Sequence, residues 1–119
     1  MVADENRVLY AEDEDTNRKL LKLQLQRNGV RCDTAADGVE ALEMFHKHDY
    51  ALVILDQYMP GLYGSEVAKR IRTISPNLPL IAITSDDSQI PLLRESGFNR
   101  VFLKPLRGDD YISAILGYL

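Results

Sequence analysis

Cysteine is nearly absent. Cys32 stands alone among 119 residues, so no internal disulfide can form and a reducing compartment is expected. It lies in an alternating segment, where a small buried hydrophobe is a better reading than a nucleophile. Basic charge is also short: Lys and Arg number 14 against 18 Asp and Glu, a formal net charge of −4. That balance argues against direct nucleic-acid binding, which needs a basic surface. No apolar run approaches membrane-spanning length, and Met1 to Asn6 lacks a signal-peptide profile. A cytoplasmic protein without membrane insertion is therefore expected. Repeats, linkers and low-complexity tracts are missing too, which leaves residues 1–119 as one domain. With 45% hydrophobic and 27% charged residues it has the composition of a soluble domain large enough for a core without staples.

What is present centres on Ala51-Leu-Val-Ile-Leu-Asp-Gln-Tyr-Met-Pro-Gly61. Its unalternating apolar run predicts a strand buried on both faces, as in parallel sheets. Asp56 ends that strand, and Pro60-Gly61 breaks the chain just beyond it. A first strand is predicted at Arg7 to Ala11, opening into the acidic run Glu12 to Asp15. A helix over Thr16 to Asn28 follows, with Leu20, Leu21 and Leu25 at helical spacing and Gly29 as its stop. Val30 to Ala35 reads as a second strand, and Asp37-Gly38 as a turn. The next helix carries Val39, Ala41, Leu42, Met44 and Phe45 on its apolar stripe and ends in His46-Lys47-His48, basic residues suited to the helix dipole. Beyond the central strand, Gly64 to Ile74 predicts a helix with Val67, Ala68, Ile71 and Ile74 on one face. Leu80 to Ile83 is a fourth strand ending in Thr84-Ser85. A weak helix is expected near Pro91 to Ser96, with proline in its first turn. A short strand over Val101 to Leu103 leads to Lys104-Pro105, and a last helix spans Asp109 to Leu119, with Tyr111, Ile112, Ile115 and Leu116 inward. Strands alternating with helices predict an α/β fold, a doubly wound five-stranded parallel sheet, for which the flavodoxin-like order is common at this size.

In a parallel sheet the strand ends share one edge. Glu12-Asp13, Asp56, Thr84 and Lys104 are thus expected around one crevice. Glu14 and Asp15 are better explained as complements to the dipole of the first helix. Carboxylates so gathered repel unless a cation joins them, and a hard divalent ion with oxygen ligands, Mg2+, meets that need. Lys104 can balance further negative charge and the Thr84 hydroxyl can donate to an oxyanion. The pattern points to a metal-bridged phosphoryl group on or beside Asp56.

With Glu12-Asp13, Asp56 followed by Met59-Pro60-Gly61, Thr84, Lys104-Pro105, Asp37-Gly38 and Gly97 in place, the chain resembles the receiver domain of two-component response regulators over essentially its whole length. The resemblance implies a flavodoxin-like (βα)5 receiver fold and a role in a His-to-Asp phosphorelay. Asp56 would accept the phosphoryl group from a histidine kinase or histidine phosphotransfer protein. Asp13 would bind Mg2+ directly and Glu12 mainly through water, with Asp56 and the Tyr58 carbonyl as further ligands. Thr84 and Lys104 would contact phosphoryl oxygens, across a cis Lys104-Pro105 bond. Such a domain assists its own phosphorylation and hydrolysis without being a conventional enzyme, as a monomer or weak dimer.

Departures and rivals follow from single positions. Receivers often carry an aromatic residue three positions before the lysine; here that position is Val101, and strand alternation points Phe102 to the opposite face. An aspartyl phosphatase of the haloacid-dehalogenase type would need an aspartate where Tyr58 stands. An FMN-binding flavodoxin would need a hydroxyl- and glycine-rich loop where Glu12 to Asp15 would repel phosphate. A receiver degenerate in chemistry would lack site residues that are all present. Two surface expectations remain. Tyr58 and Asp86 border the site opening, where Tyr58 can shield a phosphoryl group from water. On the first helix, Leu23 lies opposite the buried stripe and Leu20 at its edge, an apolar contact for a partner helix.

Overall fold

The computed structural model describes residues 6–119; the signal-peptide reading of Met1 to Glu5 lies outside them. The elements in order are β1 (Val8–Ala11), α1 (Asp15–Arg27), β2 (Cys32–Ala35), α2 (Gly38–Lys47), β3 (Leu52–Asp56), α3 (Gly64–Ile74), β4 (Leu80–Thr84), α4 (Ile90–Glu95), β5 (Arg100–Leu103) and α5 (Asp110–Leu116), with a 3-10 turn at Asp87–Gln89 leading into α4. All neighbouring strands pair in parallel, in the order β2-β1-β3-β4-β5. This is the expected doubly wound sheet.

Strand alternation sorts the core into two layers. Val8 and Tyr10 of β1 join Leu52, Ile54, Ile81 and Ile83 against Leu21 and Leu25 of α1 and Tyr111, Ile112 and Ile115 of α5. Leu9 and Ala11 join Val53, Leu55, Leu80 and Ala82 against Ala41 of α2, Val67, Ala68 and Ile71 of α3 and Leu93 of α4. Leu52 to Leu55 are each 0% exposed, so the central strand is buried on both faces. Each such side chain contributes about 1.5–3 kcal/mol. That burial anchors the strand whose last residue is Asp56.

Two helical positions depart from the predicted stripe. Ile74 is 56% exposed and Val39 is 51% exposed. Ile74 is the last residue of α3 and Val39 lies in the first turn of α2, so correct helical phase brings neither over the sheet. Most boundaries fall within a residue or two of expectation. Gly117 caps α5, which ends at Leu116 rather than running to Leu119. Gly29 stops α1 at φ +75, a backbone conformation that favours glycine. Cys32 is buried, and burial pushes its thiol up to about 12, beyond ordinary nucleophilic use.

Candidate phosphoryl and metal site

The carboxyl ends of the strands converge as predicted. Asp56 is the last residue of β3 and Thr84 of β4, while Glu12 follows β1 and Lys104 follows β5. Register keeps the ends level: Asp56 pairs with Ile83, Thr84 with Leu103, and the Lys104 amide donates to the Thr84 carbonyl at 2.8 Å. The Lys104–Pro105 bond is cis. At the far side of the β3–α3 loop, a side chain at Gly64 would collide with the Asp56 carbonyl oxygen. Glycine there lets the first turn of α3 close directly onto the end of β3.

One ammonium holds the carboxylates together. Lys104 Nζ lies 2.7 Å from Glu12 Oε1 and 3.0 Å from Asp56 Oδ2. Glu12 is 0% exposed and Asp56 5%. The Tyr10 hydroxyl and the Glu14 amide also donate to Glu12, at 3.2 and 3.3 Å. Asp13 is exposed, and one oxygen from each of Glu12, Asp13 and Asp56 lies within 4.8 Å of the others. Burial, and then Glu12, push Asp56 up to about 7, although Lys104 pulls the other way. Burial would raise Glu12 as well, but Lys104 and Asp56 hold it below the ordinary carboxylate range. Lys104 is raised above its ordinary value despite burial, because both carboxylates favour its charge. An aspartate that burial and a neighbouring carboxylate raise, with one ammonium between the two, makes a site short of positive charge. Its all-oxygen donor set fits a hard divalent cation.

Around this centre the other predicted residues take definite places. Thr84 is 0% exposed and its Oγ accepts from the Asp86 amide at 3.1 Å, which leaves the hydroxyl proton free to donate. Tyr58, 39% exposed, donates from its hydroxyl to Asp86 Oδ2 at 2.9 Å and packs edge-on to Tyr63. The β3–α3 and β4–α4 segments are thereby joined across the opening. A cavity of about 500 Å³ runs from Lys104 between α1 and the start of α5, lined by Asn17, Leu20, Gln24, Leu106 and Tyr111. Leu20, 53% exposed, faces it; Leu23, 43% exposed, does not line it. Val101 packs toward the α2–α4 layer and Phe102 toward the α1–α5 layer, as alternation required.

Two features had no sequence motif. The direct Lys104–Glu12 ion pair is one, because strand ends on one edge do not say which carboxylate a lysine there meets first. The other is Gln57, 0% exposed and hydrogen-bonded to Ser65 and Gln89. An amide beside an acidic strand end is its only trace in the sequence.

Residues 8–116 match the family described as the response regulator receiver domain. The transcriptional regulatory protein AfsQ1 of Streptomyces coelicolor is 38% identical over 114 residues, covering 92% of this chain and 50% of that protein. The sensor histidine kinase RcsC of Escherichia coli is 35% identical over 108 residues, covering 89% of this chain and 11% of that protein. The chain therefore spans half or less of the length of these relatives. Among solved structures, the response regulator protein TrrA of Thermotoga maritima, in complex with Mg2+-BeF, superposes with a TM-score of 0.89 at 35% identity, covering 96% of this chain and 99% of that one.

Proposed function

The chain belongs to the response regulator receiver domain family, and from that premise we propose that Asp56 is its phosphoacceptor. The donor is a histidine of a kinase or phosphotransfer protein. The observation that carries the reading is the Lys104 ammonium set between Glu12 and Asp56 where three carboxylates meet. The TrrA complex supports it, because that similar structure holds Mg2+-BeF.

An Asp56 carboxylate oxygen attacks the phosphorus, an O–P bond forms, and the P–N bond to the donor imidazole breaks with its electron pair leaving on nitrogen, which takes a solvent proton. Phosphoryl transfer of this kind needs positioning and charge neutralisation more than covalent help. Lys104 is the neutralising group, already within hydrogen-bond reach of Asp56. Thr84 donates its free hydroxyl proton to a phosphoryl oxygen. Asp13, Glu12, Asp56 and the Tyr58 carbonyl would hold Mg2+, which would supply positive charge against the transferred group. The phosphoryl group ends on the protein itself, so the domain is a signalling receiver rather than a conventional enzyme. Tyr58 shields the opening, and Leu20 and Leu23 of α1 offer the partner an apolar contact. The buried reduced Cys32 suits a cytoplasmic setting. Among the described residues no helix is long and apolar enough to cross a membrane.

Acetyl phosphate with Mg2+ tests the reading by intact mass. Wild type gains one phosphoryl group, and neither chelated wild type nor Asp56→Asn does. Equal labelling of Asp56→Asn overturns the assignment.

A further inference from the structure

Gln57 follows the acceptor directly, and its side chain is buried and fully engaged. Its Oε1 accepts from the Ser65 amide at 2.8 Å; its Nε2 donates to Ser65 Oγ and to Gln89 Oε1, both at 3.2 Å. Its backbone is tied as well: the amide donates to the Ile83 carbonyl at 3.0 Å and the carbonyl accepts from the Gly64 amide at 2.9 Å. One residue thus joins the end of β3 to β4, to the first turn of α3 and to the turn that leads α4. Both ends of the loop carrying Tyr58 are closed by it.

A buried carboxamide cannot shed these partners freely, because a buried polar group left unsatisfied loses both its protein partner and water. A shift at Asp56 must therefore carry Gln57 and at least one of its partners. Which partner yields is decided by packing. Ser65 is 5% exposed and sits in α3, whose Val67, Ala68 and Ile71 are each 0% exposed. Gln89 leads a helix of 6 residues in which only Leu93 is buried. The weakly anchored element moves first. The second link between the same segments, from Tyr58 to Asp86, is exposed and open to competition from water.

We propose that Gln57 is a positioning residue that transmits occupancy of the acceptor site to the Asp87–Glu95 segment through its hydrogen bond to Gln89. The proposal rests on Asp56 being the phosphoacceptor. Site state and α4 are then coupled through one buried amide, and the bond's loss uncouples them without touching the chemistry.

Hydrogen exchange read by mass spectrometry tests this, on wild type, Gln89→Ala and Gln89→Glu, each with Mg2+ and with or without acetyl phosphate, the labelled fraction being measured in the same samples. In wild type, labelling changes exchange across residues 87–95 by about twofold or more. Gln89→Ala labels at the wild-type rate but loses most of that change, whereas Gln89→Glu, which keeps the acceptor oxygen, retains it. A purely structural Gln89 would raise exchange equally in both states and leave the difference intact. Two results overturn the coupling: labelled wild type with unchanged exchange in the segment, or a Gln89→Ala response equal to wild type. Wild type that takes no label overturns the phosphoacceptor reading itself, and the coupling with it.

Discussion

Asp33, near the amino-terminal edge of the sheet, and Asp56, at its carboxyl edge, are both strand aspartates, yet their surroundings push them in opposite directions. Asp33 accepts from Arg7 Nε at 2.7 Å and from the Tyr50 hydroxyl at 2.9 Å, with Arg31 Nε at 3.8 Å. Burial would raise it, but Arg7 and Tyr50 prevail and hold it below the usual range. Asp56 shares a single ammonium with Glu12 and is pushed up to about 7. One edge balances its charge from within the chain. The other is left short of positive charge, and a group that costs stability in the free protein is the one available for chemistry.

The sharpest way to break this contrast is to neutralise each aspartate and compare signs. Asp33→Ala removes the acceptor that Arg7 Nε and the Tyr50 hydroxyl share, so a loss of about 1–3 kcal/mol is expected at neutral pH. Because Asp33 is depressed in the folded state, its contribution is present above its ordinary value and is lost as pH falls through the folded one. Urea unfolding at pH 7 and in acid measures both size and trend. A neutral Asp33→Ala would erase the distinction between the edges.

Asp56→Asn should do the reverse. Asp56 is raised in the folded state, so its contribution is full below its unfolded value near 3.8 and is lost as pH rises through about 7. At pH 8 with chelator the variant should exceed wild type by upwards of about 1 kcal/mol. The gap should close on acidification and narrow when Mg2+ stabilises wild type. Denaturation that finds Asp56→Asn less stable at pH 8 contradicts the charge imbalance.

Only the carboxyl edge should govern transfer, which substitutions near it can test kinetically. Leu20→Asp is expected to slow transfer from a phosphorylated protein partner by about fivefold, the loss of an anchor worth about 1 kcal/mol. Acetyl phosphate labelling should be intact. Wild-type rates with both donors would remove this face from docking, and Leu23→Asp is expected to act in the same direction. The smallest effect is expected of Tyr58→Gly: phosphoryl loss a few-fold faster, with formation unchanged, in a phosphate-release assay. An unchanged decay rate would reject the shield.

The same contrast explains what could be read in the sequence. Strand ends in a parallel sheet share one edge by construction, so Glu12, Asp13, Asp56, Thr84 and Lys104 could be placed together from apolar runs and their terminating residues alone. Helical phase located Leu21, Leu25, Val67 and Ile71, but phase does not say how far the sheet extends beneath a helix; Ile74 and Val39 lie beyond its cover. Long-range polar partners left no periodic trace. Arg7, Asp33 and Tyr50 sit in three separate strands or their approaches, and Gln57 meets Gln89 32 positions away. Only the fold brings them together. The charged Asp33 inside a short strand was the one local irregularity that marked the amino-terminal cluster.

Peptide mapping after borohydride reduction of the acetyl phosphate-labelled protein locates the modified carboxyl directly. A single reduced residue, Asp56, is expected, appearing only when Mg2+ is present. Modification at Glu12, Asp13 or Asp33 instead, or equal labelling in chelator, would contradict it.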